Sequence, residues 1–185
     1  VNGLNIGRCI ENYSFYWFDD GTGYGSPTTT EGDGGVDWGL FSDLLNVYKA
    51  LGKKDCRALF GENVDPRKLL LELVEKGNIR RGDLGAATDK DGKKTTVNAE
   101  TIPTFRYEEF TKADGSTGLR NLGANGAIIT LNNNATSQFQ SGYNNRYGKS
   151  DAQNRIITLI HELGHAAEFK YGAGASKILN DASNA

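Results

Sequence analysis

The chain has two histidines, His161 and His165, and both fall in the stretch TLIHELGHAA, residues 158–167, with Glu162 between them. On a helix, residues four apart lie on one face with their Cβ atoms about 6 Å apart, so the two imidazoles can converge on a single metal ion. Glu162, placed beside them, can take a proton from a water held by that ion and pass it to a leaving amine. The bland alternative is a pair of histidines that merely decorate a helix. Every neighbour in 158–167 other than Glu162 is uncharged and small or aliphatic, however, and imidazoles without a partner in such apolar surroundings would carry a desolvation penalty.

A catalytic metal of this kind needs a third protein ligand, and no histidine remains to supply it. Zinc accepts nitrogen, thiolate sulfur or carboxylate oxygen. The two cysteines, Cys9 and Cys56, lie far upstream and outside any CxxC spacing, which favours a carboxylate. Glu168 and Asp181 are the acids that follow the motif. Glu168 shares the helix face but starts about 4.5 Å further along the axis than His165, whereas a tetrahedral site takes its third ligand from off the helix. The chain from Gly172 to Asp181 can span about 30 Å, enough to return to the ion. The expected metal ligands are therefore His161, His165 and Asp181, with Glu162 as the catalytic base; the alternatives are Glu168, an upstream acid, or a site that lacks its third protein ligand. With the histidines spent, an oxyanion stabiliser has to be a tyrosine or arginine, for which Tyr143, Arg146, Tyr147 and Tyr171 are candidates.

These residues need a rigid carrier. Ser150 and Gln153 form a capping box that predicts a helix starting at Ser150. Ile156, Ile157, Leu159, Ile160, Leu163, Ala166, Ala167 and Phe169 cover most of its circumference, the mark of a buried helix, and the GAGAS stretch predicts its end near Tyr171. Further upstream, Leu40, Phe41, Leu44, Leu45, Tyr48 and Leu51 recur at helical spacing over 37–51. A second helix is predicted where Asp65 caps, Pro66 occupies the first turn and Gly77 terminates, and CRALFG between them suggests a short helical turn at Cys56. Strands are predicted at 79–84, 94–98, 102–107 and 126–131. DKDG lacks the alternating acids and closing glutamate of a calcium loop, so it reads as a plain turn. The aromatic run 13–18 reads as a core strand in preference to a carbohydrate-stacking platform.

At this point a family resemblance can be stated: TLIHELGHAA resembles the active-site helix of the zincin metallopeptidases, and the strand, loop and helix around it extend the likeness. The resemblance implies zinc as cofactor, His161 and His165 as ligands, Glu162 as general base, and hydrolysis of peptide bonds. It also implies an edge strand beside the helix that binds the substrate backbone, for which 126–131 is the candidate. The metzincin branch is excluded, because Glu168 stands where that branch has glycine and Tyr171 where it has histidine. A downstream acid as third ligand makes the chain gluzincin- or aspzincin-like, although KILNDASNA does not reproduce the aspzincin sequence. The expected fold is α+β: a twisted mixed sheet packed on the HELGH helix, with an N-terminal helical layer. A non-catalytic, zinc-containing binding module on the same scaffold is the rival reading. The N-terminal two-thirds of the chain matches no recognisable pattern.

At 185 residues with a net charge of -2, the chain has the size of one domain, spanning 1–185, and no charge imbalance that points to nucleic acid or a membrane surface. The expected partner is a protein or peptide substrate, and the expected state is a monomer. Cys9 and Cys56 are expected to pair, which points to a secreted, extracellular or periplasmic protein; a loop of that length contributes about 2–4 kcal/mol. A chain that begins at Val1 and has no methionine reads as a mature or excised piece. The short tail after His165 leaves little material for a lower lobe, so the expectation is either a C-terminally truncated chain or a pocket built partly by a partner or by the upstream loops.

Overall fold

The computed structural model describes residues 6–10, 38–88, 91–133, 139 and 149–178. The aromatic run 13–18, the candidates Tyr143, Arg146 and Tyr147, and Asp181 lie outside them. In chain order the elements are helices α1 (Ile6–Cys9), α2 (Trp38–Ala50), α3 (Lys54–Arg57) and α4 (Pro66–Glu75), strands β1 (Ile79–Gly82), β2 (Ala86–Thr88), β3 (Lys94–Thr96), β4 (Ala99–Thr111) and β5 (Thr117–Asn132), and helix α5 (Lys149–Tyr171).

Local chemistry accounts for most of the boundaries. The Asp65 carboxylate accepts hydrogen bonds from the backbone N–H groups of Arg67 and Lys68, 3.1 Å each, which satisfies two of the donors a helix N-terminus leaves open. Pro66 takes the first helical position, where its missing N–H costs nothing. At the other end Gly77 adopts φ 66°, and the next N–H, of Asn78, reaches back to the Leu73 carbonyl at 2.8 Å. The long helix α5 starts at Lys149, which puts Ser150 inside its first turn instead of before it; a one-residue slip of this kind is within the ordinary uncertainty of helix ends. Its C-terminus falls at Tyr171, followed by Gly172 with φ 93°.

Three strands form a mixed sheet in the order β1-β5-β4. β1 runs parallel to β5 with Ile79 opposite Ile129, and β4 runs antiparallel to β5 with Thr101 opposite Ile129. A separate antiparallel pair joins β2 to β3. β4 and β5 extend far past the predicted segments 102–107 and 126–131. Beyond a register shift between Thr104 and Tyr107 they continue as a two-stranded ribbon. Its apolar side chains, among them Tyr107 and Leu119, are exposed, Leu119 at 67%.

α5 is the element that the sheet and the helical layer share. It lies against β4 and β5 on one side and against α1, α2 and α4 on the other, which is why apolar residues surround it. Ile156, Ile160 and Leu163 from α5, Ile129 and Leu131 from β5, and Val47, Leu51, Phe60, Leu69 and Leu73 from the helical layer belong to one buried cluster. Cys9 and Cys56 are joined in a disulfide with Cα atoms 4.7 Å apart. The bridge ties α1 to α3.

One buried feature departs from the apolar pattern. Asp43 on α2 and Arg155 on α5 are 3% and 1% exposed, and Arg155 Nε donates to Asp43 Oδ2 at 2.9 Å. The buried stripe of α2 consequently runs through Asp43, Asn46, Val47 and Ala50, while Phe41 is 44% exposed. Losing one partner of a buried ion pair leaves the other charge uncompensated, so Arg155→Leu should lower stability by about 3–5 kcal/mol. The double variant Asp43→Leu/Arg155→Leu should recover most of that loss. Urea unfolding of both variants checks the pair; equal stability of wild type and Arg155→Leu would refute it. A second tie is at the surface: Lys170 of α5 and Lys76 both donate to the Glu72 carboxylate on α4, and these hydrogen bonds, Lys170 first, hold Glu72 below its usual pKa.

Candidate metal centre

The α5 helix brings His161 and His165 together as their spacing requires. Their Nε2 atoms are 3.0 Å apart, and the rings meet nearly edge to face with centroids 4.7 Å apart. Two nitrogens bound to one tetrahedral zinc at about 2.0–2.1 Å would lie roughly 3.3 Å from each other, within a few tenths of an ångström of what the rings adopt. Both Nε2 atoms can face an ion only when each carries its proton on Nδ1. Both histidines are partly exposed, so the pair is reachable from solvent while its helix is buried. The spacing of the two nitrogens is thus compatible with a shared zinc ion.

Glu162, the residue that follows His161, is buried, with 6% of its surface exposed. The Thr101 hydroxyl donates to its Oε2 at 2.5 Å and lies 3.4 Å from its backbone carbonyl oxygen. Thr101 belongs to β4, which among the described residues pairs only with β5 and so forms an edge of the sheet. The candidate substrate edge at 126–131 is corrected here. That segment lies in β5, the central strand, whose hydrogen bonds are taken on one side by β1 and on the other by β4. Two sequence signals separate the strands in hindsight. GAIITLN is a nearly continuous apolar run, as expected of an interior strand. Pro103, which cannot donate to a ladder, marks β4 as an edge. Thr101 was not among the predicted site residues, since a threonine within a strand carries no motif.

The other flank of the histidine pair is made by the chain that follows α5. Gly172 and Gly174 take φ values of 93° and 85° and turn the backbone around. The returning segment is then held by hydrogen bonds from the Gly61 N–H to the Ala175 carbonyl, 2.9 Å, and from the Lys177 N–H to the Leu59 carbonyl, 2.7 Å. Gly164, between Glu162 and His165, is where this segment meets the helix: a Cβ there would lie 2.8 Å from both Ile178 Cδ1 and Ser176 Oγ. Glycine inside a helix is unfavourable by roughly 0.5–1 kcal/mol relative to alanine, and the close approach of the tail explains its presence.

The predicted third ligand, Asp181, lies outside the described residues. Ile178, however, is against Gly164, and three further residues span at most about 10 Å. Glu168 is exposed, and among the described residues no third histidine, cysteine, aspartate or glutamate joins the histidine pair. Tyr171 stands about 9 Å further along the helix axis than His165; it is 45% exposed, with the Lys170 ammonium 5.3 Å from its ring. Of the four oxyanion candidates it is the one described, and it does not flank the histidines. No protein-family model, curated protein or solved structure matches the chain.

Proposed function

We propose that the chain is a zinc-dependent metallopeptidase with a zincin-like arrangement of helix and sheet. The observation that carries this reading is the convergence of His161 and His165 at 3.0 Å beside a buried Glu162 that is itself tied to an edge strand. His161, His165 and Asp181 would hold the ion; Asp181 is favoured by the direction from which the C-terminal segment reaches Gly164. Zinc held there would supply Lewis acidity for the scissile carbonyl and lower the pKa of the attacking water. Glu162 removes the water proton and returns it to the leaving amine. The partly exposed face of the histidines admits the substrate, and β4, having one side without a strand partner among the described residues, offers its backbone to an extended peptide.

The Cys9–Cys56 disulfide supports a place of action outside the reducing cytosol. No described helix is long and apolar enough to cross a membrane. The purified chain should bind a single equivalent of zinc and cleave members of a broad peptide library, with activity lost to a chelator and restored by zinc. Stoichiometric zinc without cleavage of any peptide would overturn the enzyme in favour of a binding module.

A further inference from the structure

We infer that Thr101 is a positioning residue for Glu162, tying one of its carboxylate oxygens to the sheet. The inference rests on the peptidase reading above for its catalytic meaning, though not for its geometry. Carbonyl and carboxylate oxygens only accept, so at both of its Glu162 contacts, 2.5 Å to Oε2 and 3.4 Å to the carbonyl oxygen, the threonine hydroxyl is the donor. It has one proton to give, and the shorter contact takes it. Hydrogen bonds to an ionised acceptor are the short and strong ones.

The donor is itself well held. Thr101 pairs in register with Ile129 of the central strand, and Ile129 is buried in the core against which α5 packs. A β-branched side chain has few χ1 choices, so the hydroxyl position follows from the sheet backbone. Glu162, by contrast, has a flexible stem, and its position on the helix alone leaves its carboxylate several places to go. The contact thus transfers the rigidity of the sheet to the group that handles the proton. Geometry of this kind matters steeply: a misplacement of about 1 Å can cost 100-fold in rate.

Thr101→Val keeps the shape and removes the donor, while Thr101→Ser keeps the donor. The expected result is that Thr101→Val binds zinc like wild type, retains KM within about twofold and loses roughly 10- to 100-fold in kcat. Thr101→Ser should stay within about threefold of wild type. A merely structural tie between β4 and α5 would instead lower the melting temperature and leave kcat unchanged. Wild-type kcat in Thr101→Val, or equal damage in Thr101→Ser, would overturn the inference. A second measurement needs no turnover. With carbon-13 in the glutamate side chains, the Glu162 carboxyl resonance should move in Thr101→Val and stay in place in Thr101→Ser. If it is unmoved in both, the hydrogen bond is absent and the inference falls; if it moves as expected while no form of the protein cleaves peptides, the positioning holds and the peptidase reading fails.

Discussion

Replacing Glu162 with glutamine should leave zinc bound and lower kcat/KM for peptide cleavage by about 100-fold or more, the usual contribution of a positioned general base. The two side chains have the same length, and the glutamine carbonyl can still accept from the Thr101 hydroxyl, which donates to Oε2 in the native chain. Fold and histidine geometry are therefore preserved, and what is lost is the ability to take a proton. Measuring zinc content alongside turnover separates the two roles. A variant that has lost its zinc would show that Glu162 supports the ligands as well, and one that retains zinc and full activity would end the mechanism.

Asp181→Ala should weaken zinc binding by more than about 100-fold, beyond the 10- to 100-fold typical of a group that only supports a ligand, while Glu168→Ala should bind nearly as wild type. The expectation rests on the direction from which each acid would approach the histidines. Glu168 continues along α5 past His165 and is exposed. Asp181 follows a segment that has already returned to Gly164, with Ser176 and Ile178 at the helix surface. Zinc titrations of both variants, after circular dichroism has shown them folded, give the answer. Loss in Glu168→Ala alone would mean that the helix supplies all three ligands. Wild-type affinity in both would move the third ligand upstream of the motif.

The features legible in the sequence are those in which a single residue type has one physical use. Asp65, Pro66 and Gly77 delimit α4 as read, Gly172 ends α5, and Cys9 pairs with Cys56. His161 and His165 meet because helical periodicity alone brings them together. Where position depends on the whole fold, the sequence was a poorer guide. Asp43 and Arg155 look like surface charges and are buried as an ion pair. The outer parts of β4 and β5 have solvent on both faces, so they lack the alternation by which a half-buried strand is recognised. β2 is only three residues long, too short to show any period. Thr101 became visible only once strand and helix were placed side by side, because nothing in the residues around it refers to Glu162.

The packing at Gly164 also bears on which sequences this site tolerates. In HELGH the two residues between Glu162 and His165 are nominally interchangeable spacers, yet here they are answerable to different neighbours. Leu163 is fully buried in the core, and Gly164 is the contact surface for Ser176 and Ile178. Alanine at 164 would oblige both of those side chains to shift, and a longer residue would act as a wedge between the helix and the segment that carries Ser176 and Ile178. The spelling of the motif and the course of the tail are thus a matched pair, like a key blank and its ward: descendants of this chain could vary one only by recutting the other.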